Sequence, residues 1–135
     1  NHQECEIVAF IAGHLEEREL SYRVITPYDA QRSLLEENFR NNSLTWKDKC
    51  FNVDSFQGNE DDYIILSLVR TRDIGFLKDL RRTNVMLTRC RRGMLICTTR
   101  HFIEGAGAKT LVGQMAAEFG EDAWLTKDLF EEFEF

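Results

Sequence analysis

The 135-residue sequence lacks the GxxxxGK[ST] loop with which many ATPases hold phosphate groups. Its only Gly-x-Gly, formed by Gly105 and Gly107, continues into Ala-Lys-Thr and does not have the spacing of such a loop. The sequence also has no nucleophile elbow, no pair of catalytic carboxylates and no histidine with a cysteine or acid at catalytic spacing. These absences argue against covalent catalysis within this chain, and we predict no role for its three histidines.

Cysteine and proline are both scarce. The four cysteines form no CxxC pair and no Cys/His cluster with zinc spacing, so we predict reduced thiols, no metal site and an intracellular location. No apolar run approaches the length of a membrane span, and no signal peptide is visible among the first residues. A single proline and 43% hydrophobic residues predict a packed globular domain, which we expect to be monomeric by itself.

Basic residues are distributed unevenly along a chain whose net charge is −6. Residues 68–101 carry nine Lys/Arg and two acids, a local charge of +7, whereas the remainder of the chain carries −13. A basic surface on an acidic body suits the binding of phosphate at one place. The alternative is a solvated run of charge, which the alternation of these arginines with apolar residues disfavours.

Predicted helices alternate with short apolar strands. Strands are expected at residues 22–26, 50–54, 63–69 and 94–99, and helices at 3–20, 30–39, 80–92, 101–104 and 109–119. Asp29 is expected to cap the second helix. The alternation predicts an α/β domain over residues 1–121, with a mostly parallel sheet and helices on both faces. The tail, 122–135, is left unassigned; its phenylalanines either dock on a neighbouring domain or fray.

Ligands of such sheets bind beyond the carboxyl ends of the strands. We therefore expect residues 26–28, 54–62 and 70–73 to meet at that edge of the sheet.

The segment 53–71, VDSFQGNEDDYIILSLVRT, contains a glycine turn, three adjacent acids and an apolar strand. Gly58, after Gln57, would let the backbone approach a ligand, although an ordinary turn is the simpler explanation of one glycine. The acids at positions 60–62 could be solvated, or one of them could accept hydrogen bonds from a ribose hydroxyl.

The segment 81–93, RRTNVMLTRCRRG, carries arginines along a predicted helix that leads into a strand. Arg89 is the strongest candidate for phosphate binding, because a planar guanidinium offers several donors to phosphoryl oxygens. The alternative is a surface arginine paired with an acid, which suits Arg91 and Arg92 better. Arg81 and Arg82 open the helix, where a cation gains nothing from the helix dipole, so they suggest an external partner.

The segment VITPYDAQR places Tyr28 where it could stack on a base and Thr26 where it could donate to a phosphate, with Arg32 one turn into the helix. The alternative is a strand-to-helix corner that Pro27 shapes.

Together, VITPYDAQR, VDSFQGNEDDYIILSLVRT and RRTNVMLTRCRRG resemble motifs IV, V and VI of superfamily 1 helicases, in that order. The most similar branch is the up-frameshift and senataxin type, in which motif V has the approximate form VDxFQGxExDxIIxSxVR and motif VI RRxNVxLTRAR. The resemblance covers residues 22–99 and matches the second RecA-like domain of such an enzyme, a three-layer α/β domain. Cys90 departs from the alanine that is usual at its position.

The resemblance implies an ATP-dependent helicase in which ATP and Mg lie between this domain and a first RecA-like domain outside this sequence. The implied nucleotide-side residues are Arg89 at the γ-phosphate, Glu60 at the ribose, and Gln57, Gly58, Arg70 and Arg32. Because the phosphate loop is absent, the isolated domain is expected to hydrolyse no ATP at a meaningful rate.

The resemblance also implies a track for single-stranded RNA or DNA. Its residues are Thr26, Pro27, Tyr28, Val53, Asp54 and Ser55, to which we add Arg81 and Arg82. One alternative is a degenerate helicase fold that serves as a non-catalytic binding scaffold. Another is a doubly wound small-molecule domain with a pocket of its own, which leaves the arginine helix unexplained.

Overall fold

A computed structural model describes residues 2–56, 59–69 and 75–132. Four strands are present in this part of the chain: β1 (Tyr22–Thr26), β2 (Cys50–Asn52), β3 (Asp61–Ser67) and β4 (Cys90–Cys97). The α-helices are α1 (His2–Glu17), α2 (Asp29–Asn41), α3 (Leu80–Leu87), α4 (Arg100–Glu104), α5 (Leu111–Phe119) and α6 (Lys127–Glu132). Short 3-10 helices occupy Gly75–Lys78 and Gly120–Ala123.

The strands form one sheet in the order β2-β1-β3-β4, and every pair is parallel. Side chains of β3 alternate between two cores: Tyr63 and Ile65 pack with α1 and α2, whereas Ile64 and Leu66 pack with α3, α4 and α5. The predicted three-layer α/β fold, with a parallel sheet and helices on both faces, is therefore confirmed.

Helix α1 follows the predicted apolar periodicity, since Val8, Ile11, Ala12 and Leu15 are all buried. Helix α2 begins one residue earlier than expected, and the predicted cap at Asp29 is wrong. Tyr28 occupies the N-cap position without a side-chain cap, and Asp29 instead accepts a hydrogen bond from the Asn52 side chain at 2.5 Å.

Helix α3 is shorter than predicted, because it ends at Leu87 and not at Arg92. Its first turn is capped by Asp79, whose side chain accepts from the Arg82 amide at 3.1 Å. After the helix, Cys90 pairs with Asp61 and Gly93 with Tyr63, so β4 begins four residues earlier than the predicted strand at Met94. Pairing with the start of β3 thus overrides the helical pattern of the arginines.

All strands run in the same direction, so the sheet has two distinct edges of strand termini. The carboxyl edge is defined by the strand ends Thr26, Asn52, Ser67 and Cys97, and the amino edge by the strand starts Tyr22, Cys50, Asp61 and Cys90. Strand β2 ends at the carboxyl edge with Asn52, and the next strand, β3, starts at the amino edge with Asp61. The prediction that all of residues 54–62 meet at the carboxyl edge is wrong for Glu60, Asp61 and Asp62.

The four cysteines are free, as predicted. Cys97 is a buried core residue, and burial raises the pKa of its thiol, and of the Cys50 thiol, to about 12. Such thiols stay protonated and unreactive at neutral pH.

The chain after α5 packs back on the domain. Phe130 in α6 is buried, and its ring centroid lies 5.9 Å from that of Phe10 and 5.5 Å from that of His14 on α1. This part of the predicted tail therefore docks on the domain itself. Within the described residues, none of the helices combines the length and the apolar character needed to span a membrane.

Candidate functional site

The amino edge brings Arg89 next to the acids of residues 60–62. The Asp61 amide donates to the Arg89 carbonyl at 3.2 Å, and the Arg89 amide donates to the Met86 carbonyl at 3.4 Å. The backbone on both sides of this contact is therefore fixed, and Glu60 and Arg89 share one edge of the sheet.

The Arg89 side chain is half-buried, and its Nε atom is buried without a hydrogen-bond partner among the described residues. Burying an N–H group without an acceptor costs free energy. A ligand that supplies an acceptor for Arg89 Nε would remove this cost. An anionic phosphate oxygen would supply the acceptor, and a guanidinium is the side chain best shaped to meet several such oxygens. Arg89 therefore presents a buried donor without an acceptor at the amino edge of the sheet.

Arg91 holds the acidic triplet, as its predicted pairing with acids requires. Its Nε lies 2.9 Å from Asp62 Oδ1, its Nη1 3.5 Å from Glu60 Oε1 and its Nη2 3.9 Å from Asp61 Oδ1. The hydrogen bond with Asp62 raises the pKa of Arg91 further above its ordinary value. Glu60 remains 56% exposed in spite of this contact, so its carboxylate is accessible to a ligand.

Asp61 is the buried anchor of the amino edge. Its carboxylate is 4% exposed and accepts from Arg23 at 2.6 Å, from the Ser21 hydroxyl at 2.6 Å and from the Asp62 amide at 2.7 Å. These contacts tie the start of β3 to β1. Arg23 and Ser21 were not among the predicted residues, and their place in the sequence gives no signal, since only the sheet order brings them to Asp61.

Two of the predicted nucleic-acid residues meet at the carboxyl edge. Arg82, in the first turn of α3, forms an ion pair with Asp54, which follows β2. Asp54 is 69% exposed and Arg82 41%, so both are open to solvent. Ser55 closes the turn after β2, since its amide donates to Asn52 Oδ1 at 2.7 Å. Val53 is buried, which leaves only its backbone for contact with a ligand.

The motif IV residues also lie at this edge. Thr26, at the end of β1, is fully buried, and its hydroxyl has no partner among the described residues. Pro27 and Tyr28 are half-buried, and Arg81 on the neighbouring helix α3 is exposed. The carboxyl edge therefore gathers the predicted track residues, and the amino edge gathers Glu60 and Arg89.

Arg32 is not brought to the edge of Glu60 and Arg89. It lies in the first turn of α2, at the carboxyl edge, where its guanidinium contacts Asp29 at 3.7 Å and Glu36 at 2.9 Å. The predicted residues Gln57, Gly58 and Arg70 lie outside the described residues.

A buried polar network at the carboxyl edge was missed by the sequence analysis. Glu4 of α1 accepts from the Ser67 hydroxyl and from the Val69 amide at 3.0 Å, and Gln31 of α2 donates to Ser67 Oγ at 3.1 Å. The available signal was periodicity. Glu4 precedes Val8 by one turn on the buried stripe of α1, and Gln31 heads the buried stripe of α2.

Replacing Glu4 by glutamine should make the stability of the domain less dependent on pH. Burial raises the pKa of the Glu4 carboxyl above its ordinary value. The stability that a raised folded-state pKa contributes is fully present below the unfolded pKa and is lost as pH rises through the folded pKa. Glu4→Gln carries no charge to bury, so its melting temperature should exceed that of the wild type at pH 7, with a smaller difference at pH 4. The matched control is Glu6→Gln at an exposed position of the same helix. An equal gain in melting temperature at pH 4 and pH 7 would contradict the raised pKa of Glu4.

Within the described residues, no group of three or more His, Cys, Asp or Glu side chains could hold a metal ion.

The sequence is similar to those of known proteins. A family model described as an AAA domain matches residues 1–101. An uncharacterized ATP-dependent helicase of Methanocaldococcus jannaschii is 38% identical over 104 residues, which are 77% of this chain and 15% of that protein. The DNA polymerase alpha-associated DNA helicase A of Saccharomyces cerevisiae is 37% identical over 113 residues, which are 77% of this chain and 16% of that protein. A regulator of nonsense transcripts 1 homolog of Arabidopsis thaliana is 52% identical over 81 residues, which are 54% of this chain and 6% of that protein.

The parallel sheet with helices on both faces, together with these matches, defines a three-layer α/β domain of the RecA-like type. The chain belongs to the AAA domain family and is a domain of the superfamily 1 helicases, from the branch that includes the regulators of nonsense transcripts. It spans only a small fraction of the length of each of these relatives.

Proposed function

We propose that this chain is the C-terminal RecA-like half of an ATP-dependent helicase, supplying an arginine finger and part of the nucleic-acid track. The observation that carries the proposal is the division of the sheet into two edges. The amino edge presents Arg89 and Glu60, and the carboxyl edge presents Arg82 with the turn after β2. One small domain can thus face a nucleotide and a strand of nucleic acid at the same time.

Arg89 is assigned to the γ-phosphate of ATP. Its backbone is held between Met86 and Asp61, so the guanidinium starts from a fixed position, and its Nε requires an acceptor. Catalysis of phosphoryl transfer depends mainly on positioning and on stabilising charge on the phosphoryl oxygens. ATP, when bound, supplies the transferred phosphoryl group; this chain supplies positive charge at a fixed place.

Glu60 is assigned to the ribose, with Gln57 and Gly58 beside it in the same motif. The exposed Glu60 carboxylate can accept hydrogen bonds from vicinal hydroxyls. Arg91 sits 3.5 Å from it and limits its range of positions. Arg70 is assigned to coupling between the two edges, by resemblance alone.

The remaining parts of the ATP site are assigned to a first RecA-like domain. That domain would contribute the phosphate loop, the acids that hold Mg and most of the affinity for ATP, because this sequence has no phosphate loop. The isolated chain should therefore show no measurable ATP turnover, whereas a protein that contains both domains should hydrolyse ATP in response to nucleic acid.

Arg81, Arg82 and the turn after β2 are assigned to the backbone of a single strand. Phosphate contacts position a protein on nucleic acid without reading its sequence. Relatives are named as helicases of RNA and of DNA, among them an RNA helicase aquarius of Mus musculus, so both polymers belong in the test.

Binding of oligonucleotides by this chain tests the carboxyl edge. Arg82→Ala should weaken binding of single-stranded RNA or DNA by about tenfold, as for a lost charged hydrogen bond, and should lower the slope of log K against log salt by about one. Asp54→Asn should strengthen binding, because the change removes a carboxylate that competes with the phosphate for Arg82. Fluorescence anisotropy at several salt concentrations measures both effects.

The matched control for these variants is Arg18→Ala, an exposed arginine just beyond the end of α1 at the amino edge. It should leave both the affinity and the salt slope unchanged. Equal losses for Arg18→Ala and Arg82→Ala would mean that exposed arginines contribute to binding wherever they lie, and would contradict the proposed track. Stimulation of ATP turnover by single strands in the two-domain protein distinguishes a helicase from a non-catalytic scaffold.

A further inference from the structure

The backbone leaves β3 in an unusual conformation. Val69, two residues after the end of the strand, has φ of 68°. This left-handed region is disfavoured for residues with a Cβ, and for a β-branched side chain it is a genuine outlier. Such strain persists only where the surrounding structure enforces it, and it concentrates at functional positions.

The group that holds Val69 is the carboxylate of Glu4. The Val69 amide donates to Glu4 Oε2 at 3.0 Å, with Oε1 at 3.4 Å. The Ser67 hydroxyl donates to the same Oε2 atom, and Gln31 Nε2 donates to Ser67 Oγ at 3.1 Å. Glu4, Gln31 and Ser67 are all buried, at 8%, 2% and 0% exposure, so the network is shielded from water.

A carboxylate at this position is not needed to fill space. Helix α1 presents Val8, Ala12 and Leu15 along the same stripe, and an apolar residue at position 4 would continue it without burying a charge. An apolar side chain, however, could not accept hydrogen bonds from the Ser67 hydroxyl and the Val69 amide. The buried carboxylate therefore fixes the backbone at Val69, two residues after the end of β3.

We propose that Glu4 is a positioning residue that sets the backbone conformation of Val69, the residue that precedes Arg70 in the sequence, at the carboxyl edge of the sheet. The inference rests on the proposed function, in which Arg70 couples nucleic-acid binding to ATP turnover. Glu4 touches neither ligand; it acts through Ser67 and the Val69 backbone, with Gln31 holding the serine in place.

Amide hydrogen exchange in this chain tests the contact directly. Glu4→Ala should speed exchange of the Val69 amide by at least about tenfold, the loss expected for a hydrogen bond to a charged acceptor. Glu4→Gln keeps a carbonyl oxygen in place and should preserve most of the protection. Glu6→Ala on the exposed face of α1 should change nothing. Unchanged Val69 protection in folded Glu4→Ala would overturn the proposal. Should Glu4→Ala fail to fold, Ser67→Ala serves instead, and it too should speed exchange at Val69.

ATP turnover in the two-domain protein separates positioning from mere stability. Glu4→Ala should lower the stimulation by single strands about tenfold or more, as expected for a site displaced by a fraction of an ångström, while the unstimulated rate and KM for ATP stay unchanged. Glu4→Gln should restore the stimulation. Equal losses of the stimulated and unstimulated rates would show that Glu4 has a purely structural role. Full stimulation in Glu4→Ala would show that Glu4 has no positioning role. Absence of stimulation in the wild type would instead count against the proposed function, and the exchange experiment would still decide on Glu4.

Discussion

Replacing Arg89 by alanine should lower the nucleic-acid-stimulated ATP turnover of the two-domain protein by about 10³-fold or more, the range found for arginine fingers. The physical reason is the charge that develops on the phosphoryl oxygens, which the guanidinium meets with several donors at once. The affinity for ATP should change little, because the proposed first domain holds most of the nucleotide. Steady-state turnover and equilibrium binding of a labelled ATP analogue measure the two effects separately.

Arg91→Ala is the matched control for this variant. It removes an arginine two residues away, half exposed, whose partners are the acids of residues 60–62. Its turnover should fall far less than that of Arg89→Ala. Arg89→Lys keeps the charge but not the planar fork, so it should recover only a small part of the rate. Normal turnover in Arg89→Ala, or equal losses in the two alanine variants, would refute the assignment of the finger.

Asp61→Ala should destabilise the domain by about 3 kcal/mol, near the lower end of the cost of breaking a buried ion pair. The lower end applies because Arg23 keeps a third of its side chain in water and can partly resolvate. The variant also leaves the Ser21 hydroxyl and the Asp62 amide without their acceptor. Urea unfolding of this chain, followed by circular dichroism, gives the free energy of unfolding directly.

Asp62→Ala provides the comparison for Asp61. Its carboxylate is a third exposed and pairs with a half-exposed Arg91, so the loss should stay below about 1 kcal/mol. The double variant Arg23→Ala with Asp61→Ala should lose less than the sum of the two single variants. Each single variant leaves one charge of the pair uncompensated, whereas the double variant removes both charges. Equal losses at positions 61 and 62 would show that burial of Asp61 does not govern its contribution.

The fold was predictable because its signals are local. The apolar run of β3, the helical stripe of α1 and the strand at residues 22–26 each follow from spacing within a short segment. The prediction was wrong where a partner strand decides. The arginines of residues 89–92 fit a helical pattern, yet pairing with β3 draws residues 90–93 into β4. Asp29 has the residue type and position of a helix cap, yet its carboxylate accepts a hydrogen bond from Asn52 of the neighbouring strand instead.

The candidate site was predictable in its residue types but not in its layout. Sequence motifs selected Glu60 and Asp54, and one shared edge was expected for both. The order and direction of the strands place them at opposite edges, and neither can be read from this short segment. Glu4 was missed for a related reason: its partners, Ser67 and Val69, lie more than sixty positions away along the chain. A charged residue on a buried stripe is the kind of signal that points to such a network.

Helix α3 connects the two edges of the sheet. Its eight residues begin beside Arg82 and Asp54 and end just before Arg89, so the helix is about 12 Å long at 1.5 Å per residue. Pivoting such a rod by about 5° at the end nearer the strand of nucleic acid shifts its far end by about 1 Å. A displacement of that size at a reacting group changes rates by about a hundredfold. Under the proposed roles, a tilt of α3 too small to alter the fold would suffice to raise the rate of ATP hydrolysis when a strand of nucleic acid binds.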